Sequence, residues 1–216
     1  MKKHIIIFIV AAFALPLTAQ TEDSAKAKEI LDKVSAKTKT YKSIEVDFSF
    51  TLENLQANIT DQYSGNLVLK GDKYRASIMG VDNFFDGKTM WMLMEDANEV
   101  NISNADDMEE DMLNPTNIFT IYEQGFRMSY VGEAVLNGKK VDLIDLFPEN
   151  RDKPFSKIKL YIYKDNLQFA KVEQIGRDGT NYIIDVRKMD VNKSYDDSYF
   201  VFDASKYPGV EIIDLR

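Results

Sequence analysis

Between Tyr63 and Ser103 the chain reads YSGNLVLKGDKYRASIMGVDNFFDGKTMWMLMEDANEVNIS. Apolar residues alternate along this stretch, and Gly71-Asp72 and Asp86-Gly87 suit tight reversals, so it is expected to fold into four or five short antiparallel strands. One strand constrains the rest. Residues Met90 to Met94 run Met-Trp-Met-Leu-Met, which puts Met90, Met92 and Met94 on one face and Trp91 and Leu93 on the other. Both faces are apolar, and both must be covered by protein or by a ligand. The adjacent rings of Phe84 and Phe85 likewise divide between the two faces.

The chain around this sheet supplies the covers. From Asp23 to Tyr41 the apolar positions Ala27, Ile30, Leu31, Val34 and Tyr41 recur at helical spacing, with Asp23 or Ser24 as the expected N-cap. Ile44, Val46, Phe48, Phe50 and Leu52 then alternate with polar residues, the pattern of a strand with one wet and one dry face. Tyr63, Gly65, Leu67 and Leu69 continue the dry face on the next strand. Residues Asn104 to Leu113 read as an acidic helix with Met108, Met112 and Leu113 on its apolar edge. A second short helix follows, capped by Asn114, with Pro115 at its first position and Gly125 past its end; Ile118, Phe119, Ile121 and Tyr122 form its broad apolar side.

The second half is strand-rich. Segments 126–136 and 139–147 flank an Asn137-Gly138 hairpin turn, 157–163 and 167–175 flank Lys164-Asp165-Asn166, and Asp178-Gly179 leads into 182–189. Aliphatic residues such as Ile158, Leu160, Ile162, Ile184 and Val186 are expected on the dry side. The tail is expected to make a turn at 204–207 and a last short strand. Whether these dry faces seal against each other or line a greasy pocket is open from the residues alone; flexible, polarisable thioethers such as Met90 and Met92 suit either.

Composition removes several classes of function. The chain has no cysteine, and its single histidine, His4, lies in the opening segment. Thiolate nucleophiles, imidazole bases and ordinary zinc sites are therefore excluded beyond that segment, and no spacing singles out a catalytic pair of carboxylates. We expect no enzyme, no cofactor, no metal and no catalytic residue. The opening Met1-Lys2-Lys3, the uncharged run Ile5 to Leu15 and the small-residue end Leu17-Thr18-Ala19 read as a secretory signal peptide cut after Ala19, too short in its apolar run to span a bilayer. Residues 1–19 are thus the expected signal and 20–216 one domain, exported to the periplasm. Loss of Lys2 and Lys3 leaves 25 basic against 35 acidic residues, a net charge of −10. Such a surface disfavours nucleic acid and anionic membranes as partners.

The order Gly65-x-Leu67-x-Leu69-Lys70, Lys73-Tyr74-Arg75, Asp86-Gly87-Lys88-Thr89-x-Trp91 and Glu99-Val100 resembles the periplasmic lipoprotein carrier family LolA, in its Bacteroidetes-type form. Asn114-Pro115 with Ile118 to Tyr122, Pro154 to Ile158 and Tyr207 to Glu211 continue the likeness in collinear order. The resemblance implies an α+β, mainly antiparallel fold: an incomplete, open β-barrel of about 11 strands, with an N-terminal helix and a helical lid over a hydrophobic cavity. It places acyl-chain contacts at Phe48, Phe50, Leu67, Leu69, Tyr74, Phe84, Met90, Trp91, Met92, Leu160 and Ile184, and the lid at Met112, Leu113, Ile118, Phe119, Ile121 and Tyr122. The family's lid latch is an arginine followed by a proline; depending on where a one-residue gap falls, the matching position here is Lys70, Gly71 or missing, and Lys70 lacks the planar guanidinium fork.

The implied function is a monomeric chaperone that shields lipoprotein acyl chains between the inner and outer membranes. Its implied partners are acylated lipoproteins, an inner-membrane lipoprotein-releasing ABC transporter and an outer-membrane lipoprotein acceptor. Two other readings fit the same residues: a binding protein for another amphiphile (a glycolipid, pigment or free lipid), and a sensory or scaffold domain that binds no lipid.

Overall fold

A computed structural model of the chain describes residues 18–105, 121–123 and 125–216. Its first described element is helix α1 (Thr18–Thr38). Ala27, Ile30, Leu31 and Val34 fall at helical spacing and are all buried, whereas the lysines between them stay in water. The helix is already formed at Thr18, so Asp23 and Ser24 lie within it and not at its N-cap. It also stops at Thr38, before Tyr41: the Thr40 and Tyr41 amides donate to the carbonyls of Lys37 and Thr38, and Tyr41 packs on the sheet from beyond the helix.

The strands are β1 (Ile44–Asn54), β2 (Ile59–Lys70), β3 (Lys73–Ile78), β4 (Val81–Phe85), β5 (Thr89–Met94), β6 (Glu99–Asn104), β7 (Phe126–Leu136), β8 (Lys139–Pro148), β9 (Phe155–Tyr163), β10 (Phe169–Gly176), β11 (Thr180–Val191) and β12 (Glu211–Asp214). Among the described residues they form one twelve-stranded sheet in the order β12-β6-β5-β4-β3-β2-β1-β11-β10-β9-β8-β7. The resemblance implies about eleven; the Tyr63–Ser103 stretch supplies five of the twelve, most of β2, all of β3 to β5 and β6 up to its last residue, Asn104. The sheet is open, with β12 and β7 as its unjoined edges. It is antiparallel except at one edge, where β12 pairs parallel with β6.

Local chemistry explains the turns. Asn137 and Gly138 both have positive φ, 51° and 76°, the conformation that a two-residue hairpin of matching twist requires. Gly65 faces Phe48 across the β1–β2 pair, and the Phe48 ring lies so close over it that a Cβ would come within 2.4 Å of ring carbon Cζ. Any side chain at this position would have to displace the Phe48 ring. The helix-forming residues expected at 104–120 lie outside the described residues, apart from Asn104, the last residue of β6, and Ala105.

The two faces of the sheet are covered differently. On the inner face α1 forms one buried cluster with Ile144 and Leu146 of β8, Phe155, Ile158, Leu160 and Ile162 of β9, Phe169 and Val172 of β10, and Tyr122. On the outer face of β4 to β6, the buried Phe84, Leu93 and Val100 are covered by Trp91 and by Phe202, Tyr207 and Val210 from the C-terminal segment. Phe84 meets Phe202 edge-on at 5.9 Å, and Phe202 stacks on Tyr207 at 5.2 Å. Arg75, ion-paired to Asp82 at 2.7 Å, lies over the rings of Phe84 and Tyr199. The segment is pinned electrostatically at Asp197, whose carboxylate receives Lys70 at 2.8 Å and Lys73 at 2.6 Å.

Two outcomes follow. Leu31→Ala empties a site at the centre of the helix–sheet cluster and should cost about 2–5 kcal/mol of stability, read by urea denaturation. The Lys70 ammonium, and then that of Lys73, holds the Asp197 carboxyl down to about 2 from its ordinary 3.8. A depressed carboxylate contributes to the folded state above its unfolded pKa, and that contribution disappears as pH falls through the folded value. Emission of Trp91, the only tryptophan, should therefore shift to the red as pH drops from about 4 toward 2, the window set by these two values. In Asp197→Asn that component should be absent.

Candidate functional site

The inner face is continuous. Residues opposite each other across antiparallel pairs share a face, and the pairings carry one row from Met90 of β5 through Phe85 of β4, Tyr74 of β3 and Leu69 of β2 to Ile44 of β1. A second row runs Met92, Asn83, Ala76, Leu67, Val46. On the other side of β1, Phe48, Phe50 and Leu52 face Val186, Ile184 and Tyr182 of β11, and Ile184 faces Val172 of β10. The register shift opposite Asp47 and Phe48 leaves Arg187 of β11 unpaired, so that Met189 and Val186 both face the apolar row of β1. The surface thus passes without a break into the cluster beneath α1.

Cover changes along the way. Beneath α1 the inner residues of β8 to β10 are sealed; over β1 to β5 and β11 they range from buried to partly open. Ile44, Val46, Leu69, Tyr74 and Phe85 make the buried floor of that second region, with Phe48, Leu67, Ala76, Met90, Ala105, Val186 and Met189 packed on it and partly open. Met92 is 38% exposed and Tyr182 37%, although both are large and apolar. Tyr182 stacks on Phe50 at 6.0 Å. Where the two regions meet, at the end of α1, a cleft of about 330 Å³ opens above Ile44 and Leu69, rimmed by Ser35, Thr38, Lys39, Lys42 and Asp72. That volume is at the small end for ligand sites.

The floor stays uncharged. Burial pushes the Tyr74 phenol up to about 12, and its hydroxyl rests 3.6 Å from the Met90 sulfur. Tyr122 is likewise pushed up to about 12, first by burial and then by its hydrogen bond to Asp32 of α1 at 3.2 Å. Both phenols are neutral at any physiological pH, as an apolar surface demands.

The residues named from sequence divide. Phe48, Phe50, Leu67, Leu69, Tyr74, Met90, Met92, Leu160 and Ile184 all stand on the inner face. Phe84 and Trp91 do not: the register puts them opposite each other on the outer face, under the C-terminal segment. Leu160 is sealed beneath α1, 1% exposed, and so belongs to the permanent core. Lys70 is engaged by the Tyr195 carbonyl at 2.6 Å and by Asp197, which makes it a fastener of the C-terminal segment. Of the expected lid, Met112, Leu113, Ile118 and Phe119 lie outside the described residues, as does the side chain of Ile121, while Tyr122 is buried against α1. Ala76, Ile78 and Val81 also face inward and were missed, and Met94, expected on the Met90 face, was left out of the expected contacts; the i, i+2 spacing from Tyr74, Phe85 and Met90 is the signal that locates them. Among the described residues no cluster of acidic or histidine side chains could hold a metal ion.

Comparison with known proteins agrees with this architecture. A structure of an uncharacterized conserved protein from Thermus thermophilus superposes with a TM-score of 0.59 at 11% identity, covering 88% of this chain and 99% of that one, so the fold is shared. A DUF1329 family protein from Desulfovibrio piger (TM-score 0.49, 11% identity, 86% and 99% covered) and LprF from Mycobacterium bovis (0.49, 12%, 81% and 96%) are more distant. No curated protein sequence matches significantly. Residues 17–141, more than half of the sequence, match the family described as outer membrane lipoprotein carrier protein LolA. The chain, with its open sheet and inner apolar face, therefore belongs to the LolA family of outer membrane lipoprotein carrier proteins.

Proposed function

We propose that this protein is a periplasmic carrier that holds the acyl chains of lipoproteins against the part of its inner face that the described residues leave partly open and moves them from the inner to the outer membrane. The observation that supports this reading best is the partly open apolar region over β1 to β5 and β11, a buried floor with half-buried residues packed on it, which extends past the α1 cluster. Apolar surface of this kind, continuous with a core and left partly open, is what a hydrocarbon ligand needs. Phe48, Phe50, Leu67, Met90, Met92 and Ile184 are its proposed contacts. Residues 1–19 would serve as the cleaved export signal and 20–216 as the single carrier domain. No described helix is long and apolar enough to cross a membrane. The donor would be a lipoprotein-releasing ABC transporter in the inner membrane and the acceptor an outer-membrane lipoprotein receptor.

The energetics favour an imperfect site. Each buried methylene contributes about 0.8 kcal/mol, so full burial of one ordinary acyl chain would stabilise the complex by on the order of 10 kcal/mol. Several chains held that way would not leave. An open face that buries each chain only in part binds more weakly and lets transfer proceed to a tighter acceptor.

Displacement of a fluorescent fatty-acyl probe by a synthetic triacylated cysteine lipopeptide tests the proposal. The wild-type chain should bind both, and absence of binding to either removes the carrier reading. In Met92→Glu a carboxylate stands where hydrocarbon should lie, and affinity should fall at least about tenfold because an ionised group is costly to cover with apolar surface. Folding should be preserved, as Met92 is exposed in the free protein.

A further inference from the structure

The partly open region of the inner face is not uniformly apolar. On β4, Asn83 sits between Val81 and Phe85 along the strand and between Ala76 and Met92 on the neighbouring strands, a carboxamide set in an apolar surround. Across Met92 the next inward residue is Asn101 of β6, two strand spacings or about 10 Å from Asn83. Glu99 and Ser103 flank it, so the inward positions of β6 are polar throughout and form a rim beside the β12 edge. Both asparagines are half-buried, and neither side chain has a hydrogen-bond partner among the described residues. A carboxamide covered by hydrocarbon without a partner costs free energy, so an acyl chain laid across Met92 would penalise this pair unless the ligand also answered it.

We propose that Asn83 and Asn101 bind the carbonyl-bearing linkage of an acylated ligand, the ester or amide groups that join its chains to the head. This rests on the carrier reading and fixes the ligand's direction: chains over Met90, Leu67 and Phe48, linkage at β4 and β6 beside the sheet edge. A carboxamide suits this chemistry because its Nδ2 donates to an ester or amide carbonyl and its Oδ1 accepts from an amide N–H. A bare hydrocarbon offers neither.

The test uses the full chain and three probes: a triacylated cysteine lipopeptide, a diester phospholipid, and a pyrenyl alkane without carbonyl groups. In Asn83→Ala/Asn101→Ala, lipopeptide affinity should fall about 5- to 100-fold, the loss of two hydrogen bonds, while alkane affinity stays within about twofold. A fall shared by the phospholipid assigns the contact to the ester carbonyls; a fall confined to the lipopeptide assigns it to the N-acyl amide. Both outcomes support the proposal. Unchanged lipopeptide affinity, or an equal fall for the alkane, overturns it while leaving the carrier reading in place. Wild-type protein that binds neither alkane nor lipopeptide removes both.

Discussion

A sheet with a single continuous apolar face must find something to lie on it, and the one long helix described here is too narrow for the task. The inner face runs from β5 to β7 through ten strands, about 43 Å at the usual strand spacing. A helix covers a band roughly 10–12 Å wide, and α1, with 21 residues, is about 32 Å long, so in neither direction does it span that breadth. It seals the end built from β7 to β10, where Leu31, Val34, Ile158, Leu160 and Ile162 are fully buried. Everything beyond β11 depends on other cover. The division between permanent core and open surface is therefore geometric, and the residues on the two sides of it are chemically alike.

That likeness explains what could be read in advance. Alternation along β1 and β9 and the Asn137-Gly138 turn located strands, faces and a hairpin, because each signal is local and is satisfied by near neighbours. The inner-face placement of Phe48, Phe50, Leu67, Met90, Met92 and Ile184 followed from the same alternation. Failures came where distant chain intervened. Nothing near Phe84 or Trp91 announces that Phe202 and Tyr207 will cover them, so two outer-face rings entered the expected site. Leu160 has the same pattern as Ile184, and only the position of α1 separates them. Nothing beside Lys70 points to its described partners, Tyr195 and Asp197, which lie more than a hundred residues on. The parallel pairing of β12 was unreadable for a similar reason: four residues carry no signal of direction.

The two covers also differ in character. On the inner side aliphatic side chains and rings such as Phe155, Tyr74 and Phe85 pack mainly by apolar burial, which is non-directional and tolerates replacement by another hydrocarbon. On the outer side the C-terminal segment is held by stacked rings, by Arg75 between Asp82 and two aromatic faces, and by the paired lysines at Asp197. Such contacts have fixed geometry and accept few substitutes. One side of the sheet is thus suited to exchange what covers it, and the other is fastened by its own chain.

The position of β1 has a consequence for how the protein is made. The first strand of the chain ends up between β2 and β11, paired along its whole length with residues 180–191. Its second neighbour is therefore synthesised some 130 residues later, a separation that makes closure slow and late. Until then Val46, Phe48 and Phe50 present a long, greasy, half-paired ribbon to whatever is nearby. A nascent chain in that condition is prone to aggregate, so this topology places a premium on escort during biogenesis, before the molecule can act on anything else.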